Sequence, residues 1–320
     1  MVLAGPAGAD DSDPVGIGIK LLEAPTNRRD DPRARMYIVD HLAPGSTIKR
    51  RVQVKNNTGE HRQVKIYAGA ASVGKGGFSF AEGPERTELT TWTSVDRPIL
   101  EMAPDTKETV HVTITIPPSA PAGERYAVIW AENPAPPNVV GQIGRSNRVG
   151  IRVYLDIGLG GEPKSDFAIE SLTPGRTPDG RPKLIAYVRN TGARALDMTG
   201  QLWLSEGPGS LNAGPFPASL GTTLGLGFAA PVAVVLDRQL PNGPWTARLT
   251  LRSGMVERTV SVKITFPDSG LGAPVPVNAP DTPAYVLFSA LGAFALAALC
   301  GFLVVRIRHR HRVKRWRKTD

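Results

Sequence analysis

Four aromatic side chains stand where a ligand could use them. Phe78, Phe80 and Trp92 fall in an irregular, glycine-rich stretch over 69–100, and Tyr67 points outward from the strand-like segment before it. Aromatic rings on loops offer flat faces for stacking on sugars or for anchoring a partner. The competing role for the same rings is to plug the end of a sheet sandwich.

Catalytic spacings are missing. There is no Gly-x-Ser-x-Gly elbow, and the one cysteine, Cys300, lies inside the uncharged run 284–305. Gly69-Ala70-Ala71-Ser72-Val73-Gly74-Lys75-Gly76 nearly matches a phosphate-binding loop. It lacks the closing Ser or Thr that would hold Mg²⁺, and Gly77-Phe78-Ser79-Phe80 does not open a helix, so a flexible loop is expected instead. His41, His61 and His111 have no second His or carboxylate at ligand spacing, which argues against zinc. Asp105 and Glu108 read as solvated charges. The expectation is a binding protein, not an enzyme, with no cofactor and no metal.

The charge is uneven. The formal net charge is +9, yet the last 15 residues hold eight of the 38 Lys and Arg and one of the 29 Asp and Glu. Without them the balance is 30 against 28, or +2. The high pI therefore belongs to the tail and gives no reason to expect nucleic acid as a partner. With Cys300 as the single cysteine, no disulfide framework is available. Gly and Pro together make 63 of 320 residues, which favours a turn-rich all-β chain.

Period-two alternation supports that class. Val52 and Val54 alternate with polar residues, as do Val110, Val112, Ile114 and Ile116, with His111 outward. Tyr126 to Trp130 is apolar on both faces and reads as a central strand. Val149, Ile151, Val153, Leu155 and Ile157 form the inward set of the strand that closes the unit. Residues 28–35 read as a charged loop. A second β unit contains the hairpin Trp245–Arg252 and Thr259–Phe266, with Trp245, Ala247, Leu249 and Leu251 on one face. Val54-Lys55-Asn56-Asn57-Thr58-Gly59 is echoed by Val188-Arg189-Asn190-Thr191-Gly192, which fits two units of related plan or a chance recurrence of a common turn.

Residues 284–305 run for 22 residues without a charge. As a helix they span about 33 Å, enough for a hydrocarbon core of about 30 Å. The basic run 306–320 follows at once and places the C-terminus in the cytoplasm and the N-terminus outside. It is also suited to anionic lipid headgroups. Ser289, Ala293, Ala297 and Gly301 fall at spacing four and mark a candidate helix-packing face; the abundance of alanine is the alternative explanation. Ala7-Gly8-Ala9 fits a signal-peptidase site, although the basic and apolar regions that should precede it are missing. The expected layout is therefore a signal-peptide remnant or disordered N-terminus (1–14), a first Ig-like β-sandwich (15–157) and a linker (158–165). A second sandwich (166–267), a Pro/Gly-rich stalk (268–283), the span (284–305) and a basic tail (306–320) follow.

Several segments carry a resemblance to the WxL-interacting protein family of Gram-positive cell surfaces. They are Ile17-Gly18-Ile19-Lys20, Ala24-Pro25-Thr26-Asn27, Leu42-Ala43-Pro44-Gly45-Ser46 and Val52-Gln53-Val54-Lys55-Asn56-Asn57, then Trp92, Ile116-Pro117-Pro118 and Ala122-Gly123-Glu124-Arg125-Tyr126. The single span with a basic tail adds to it. The resemblance covers 15–157 and, in architecture, 284–320; residues 166–267 match only in being β-rich and next to the membrane. It implies a cell-membrane protein whose first domain is a peptidoglycan-binding sandwich, with a wall-associated protein as a further partner. An accessory subunit or spacer of an envelope complex is the alternative.

Overall fold

The computed structural model describes residues 16–82, 85–134 and 146–277. Ten strands precede the connection at 158–165: β1 (Ile17–Leu21), β2 (Ile38–Leu42), β3 (Thr47–Asn56), β4 (Arg62–Gly74), β5 (Gly77–Phe80), β6 (Thr93–Val95), β7 (Ile99–Met102), β8 (Lys107–Thr115), β9 (Gly123–Asn133) and β10 (Asn147–Ile157). They form a four-stranded sheet, β1-β3-β8-β6, and a six-stranded sheet, β2-β10-β9-β4-β5 with β7 also on β4. Alternation does the sorting. Val52 and Val54 from one sheet and Ala127, Ile129, Ile151 and Val153 from the other point into one shared core.

The remaining strands are β11 (Phe167–Arg176), β12 (Pro182–Asn190), β13 (Leu196–Ser205), β14 (Ala213–Leu224), β15 (Ala229–Val235), β16 (Trp245–Ser253), β17 (Val256–Ile264) and β18 (Val275–Pro276). Their sheets run β15-β12-β11-β18 and β14-β13-β16-β17. Trp245, Ala247, Leu249 and Leu251 are buried, as their spacing predicted, and Leu249 faces Val260 across the hairpin. The chain is thus all-β among its described residues, with two short helices, α1 (Pro32–Met36) and α2 (Glu88–Trp92), beside two 3₁₀ turns.

The echoed asparagines hold equivalent places. Asn56 ends β3 opposite Ile17 of the first strand, and Asn190 ends β12 opposite Phe167 of β11. Both are buried. Each donates from Nδ2 to the carbonyl four residues on, Glu60 or Arg194, and each accepts from the backbone N–H two residues on. The side chain thereby supplies the bonds a turn cannot make for itself.

Four sequence expectations change. The charged loop at 28–35 contains α1, because Asp31 caps it by accepting from the Arg33 N–H and Pro32 starts it. The glycine-rich stretch 69–74, expected as loop, is strand: it continues β4 and turns at Lys75-Gly76 into a hairpin with β5. Val149 lies past the end of the core and is exposed. The stalk begins later than 268: Gly272 N–H donates to Pro174 O, Arg176 N–H to Gly270 O, and β18 pairs with β11, so residues 270–276 complete a sheet. Among the described residues no helix is long and apolar enough to cross a membrane. The N-terminal segment 1–14, the span with Ser289, Ala293, Ala297 and Gly301, and the basic tail lie outside them.

Candidate functional site: an aromatic sheet face, a groove along α2 and a charged junction

The four predicted aromatics do not converge. Tyr67 and Phe80 belong to one group on the outer face of the six-stranded sheet. Trp130, opposite Tyr67 in the register, lies flat over the sheet, and a Cβ at Gly69 or Gly150 would come within 2.4 and 2.7 Å of its ring. Phe80 meets Trp130 edge-on at 5.1 Å, and the Arg148 guanidinium stacks 4.4 Å from the Trp130 ring centre. Tyr67 donates to Glu132. Burial and that carboxylate raise the Tyr67 hydroxyl above the usual phenol range. Phe78 belongs elsewhere: it packs against Tyr126 and Tyr154, with Arg152 over its ring at 4.8 Å.

Trp92 ends α2 and is partly buried against the first core. Thr87 and Thr90 cap that helix reciprocally, each side chain bonding the other's backbone N–H. Two open clefts flank the helix, of about 460 and 370 Å³. Arg86 and Thr91 line both, so the clefts read as one groove with Tyr67 at one end and Trp92 at the other. Between the rings stand threonine hydroxyls and three charged side chains, Glu85, Arg86 and Glu88.

Sequence reasoning missed a third feature, the ionic junction between the two sheet pairs. Arg194, only 2% exposed, donates to Glu124 of β9 at 3.0 Å and also binds Glu162. The second Glu124 oxygen accepts from the Ala195 N–H at 2.8 Å and from Tyr126. Asp197 of β13 accepts from Tyr154 of β10 at 3.1 Å and from Thr223 at 2.6 Å, and its other oxygen lies 3.0 Å from Arg33 Nε. Burial first, and then the neighbouring carboxylates, push the Tyr154 and Tyr126 hydroxyls well above the usual phenol range. Burial would raise Glu162 too, but the bond from Arg28 and the Arg194 charge overcome it and hold the carboxyl below its ordinary value. The charged residues themselves are plain in the sequence, but the partners sit up to 164 residues apart, as Arg33 and Asp197 do.

The histidines also find carboxylates that spacing could not reveal: His41 lies 2.6 Å from Asp156 and His111 2.8 Å from Asp96. Among the described residues no three His, Cys, Asp or Glu side chains gather as metal ligands.

These sheets, grooves and ion pairs define an all-β protein with candidate binding surfaces. No protein-family model matches the chain, and no curated protein matches it. It is similar to solved structures of low identity. A chain of the Salmonella enterica SafA pilin–SafB chaperone complex is 8% identical, covering 78% of this chain and 98% of that one, with a TM-score of 0.42. The Pseudomonas aeruginosa CupB2 chaperone is 11% identical, covering 72% and 97%, with a TM-score of 0.38.

Proposed function

We propose that this is a non-catalytic binding protein of the bacterial cell surface, two Ig-like sandwiches in tandem held to the membrane by 284–305. In this reading the first sheet pair contacts peptidoglycan or a wall-associated protein. The resemblance to WxL-interacting proteins motivates it, and the groove along α2 is the observation that carries it. A long open groove with a ring at each end and hydroxyls between suits an extended ligand bearing sugar faces and amides.

Retention of the purified full chain on isolated cell wall tests the reading. Tyr67→Ala removes one ring; a lost stacking contact of about 1 kcal/mol corresponds to roughly fivefold weaker retention. The melting temperature, measured beside it, separates lost binding from lost folding. Equal retention of both proteins, or none by either, removes the groove from consideration.

A second reading, a spacer or accessory subunit of an envelope complex, draws on the junction. A stack of sheets fixed by buried ion pairs is suited to holding a partner at a set distance. Absence of wall retention together with co-purification of a membrane partner favours it.

A further inference from the structure

The outer face of the first sheet gathers positive charge. Strand alternation turns Lys20 of β1, Lys49, Arg51 and Lys55 of β3, and Lys107 and His111 of β8 away from the core. Register brings them together: Arg51 stands opposite His111, Lys55 opposite Lys107, and Lys20 opposite Gln53 beside them. The acids here are committed. Glu23 is held by Arg51 at 2.7 Å, Asp96 by His111 at 2.8 Å, and Glu108 by Arg97 at 3.0 Å. Lys20, Lys49 and Lys107 are exposed and have no acid partner among the described residues. Such a concentration is unexpected in a chain whose charge, tail aside, is nearly balanced.

The chemistry of the face selects among anionic partners. Apart from Leu22 at its rim, the face lacks apolar side chains to sink into a bilayer. It has no helix or ribbon to enter a duplex groove and no Phe, Tyr or Trp for base stacking. It does have cations spaced roughly 7 Å along a strand and about 5 Å across strands. Thr109, Thr113 and Gln53 stand among them as hydroxyl and amide partners. We propose that this face docks a linear polyol-phosphate polymer, the lysines taking successive phosphodiesters and the hydroxyls and amide the polyol between. The proposal does not use the groove along α2.

The test measures binding of fluorescent poly(glycerol phosphate) to the full chain in non-ionic detergent. The eight Lys and Arg of 306–320 are replaced by Gln, so that the tail contributes nothing. With three phosphate contacts, affinity falls roughly twentyfold between 50 and 200 mM salt. Lys49→Glu with Lys107→Glu removes most of the binding at 50 mM and flattens the salt dependence to roughly threefold. Both sites are exposed, and an unchanged melting temperature shows that the fold is kept. Vesicles containing phosphatidylglycerol and a single-stranded oligonucleotide serve as competing sources of phosphodiester. Three results overturn the proposal: no polymer binding at 50 mM salt, equal binding by the double variant, or a charge-dependent preference for vesicles or oligonucleotide over the polymer.

Discussion

Tyr154 places a phenol hydroxyl at the centre of the charged junction, and its titration makes the network measurable. In the fold, burial and Asp197 raise it above its ordinary value of 10.0; the unfolded chain leaves it near that value. A group raised on folding contributes stability that is complete below the unfolded value and is lost as pH climbs toward the folded one. The protein should therefore lose stability above about pH 10, as unfolded tyrosine ionises first. Tyr154→Phe keeps the ring against Phe78 and Tyr37 and leaves Thr223 bonded to Asp197. It should cost about 1 kcal/mol at neutral pH and make the alkaline loss shallower, though Tyr126, raised in the same way, keeps part of it. Urea midpoints at pH 7 and pH 11 measure both effects, and parallel losses in the two proteins would contradict the assignment. Residue by residue, local patterns were readable and distant partners were not. The repeated Val-x-Asn turn could be seen in the chain, yet Asn56 also donates to Met102 and Asn190 to Leu224, bonds that only the folded sheets bring within reach. Trp92 could be singled out as an aromatic in an irregular region and Tyr67 as an outward aromatic on the strand before it, whereas Tyr154 looked like one more residue in a strand.

At the scale of elements, alternation predicted the strands with β-branched cores and failed where glycine stands for packing. Gly69 looks like a loop residue, but it and Gly150 flank Trp130, whose ring occupies the space their side chains would need. For that reason the hairpin of β4 and β5 was read as a loop and a near phosphate-binding motif. The tip of this hairpin reaches the second sheet pair: Phe78 N–H donates to Thr222 Oγ1 beside β5. Gly77 there has φ +96°, and a Cβ would fall 1.9 Å from that hydroxyl. Gly77→Ala should therefore cost at least about 1–2 kcal/mol for the backbone alone and displace Thr222. The expected result is a melting temperature lower by several degrees. Gly74→Ala, in the same turn with nothing within 4 Å, should leave it unchanged. Equal effects at the two sites would mean that the tip does not bear on Thr222. The same scale explains α1. Its arginines look solvated in the sequence, but Arg33 is 7% exposed because Asp197 and the Ala195 carbonyl receive it.

For the whole molecule, the described residues through Pro276 form one compact unit, although the chain reads as two β units joined by a glycine-rich linker. The linker is itself engaged, since Glu162 bonds both Arg28 and Arg194. Composition could not reveal this, because a conformationally free linker and one pinned by ion pairs share the same glycines. Arg194 is the side chain on which the coupling turns. It comes from the turn after β12, reaches Glu124 of β9 and Glu162 of the connection, and lies 3.4 Å from the Asp40 carbonyl of β2. Glu124 is in turn tied to the Ala195 N–H, so the pair bridges both sheet pairs in both directions. Removing one member of a buried pair leaves the other desolvated without compensation, which costs about 3–5 kcal/mol. Arg194→Ala should therefore do more than lower stability. It should uncouple the units, so that urea unfolding, expected to be a single transition in the parent, separates into two. Fluorescence of variants that keep one of the five tryptophans, Trp245 of the second pair or Trp130 of the first, follows each pair. Adding Glu124→Gln should recover part of the loss, because the orphaned charge is then gone while the bond to the Ala195 N–H can persist. A single sharp transition in Arg194→Ala, with no recovery in the double variant, would mean that apolar contact alone joins the pairs and the ion network only decorates the junction.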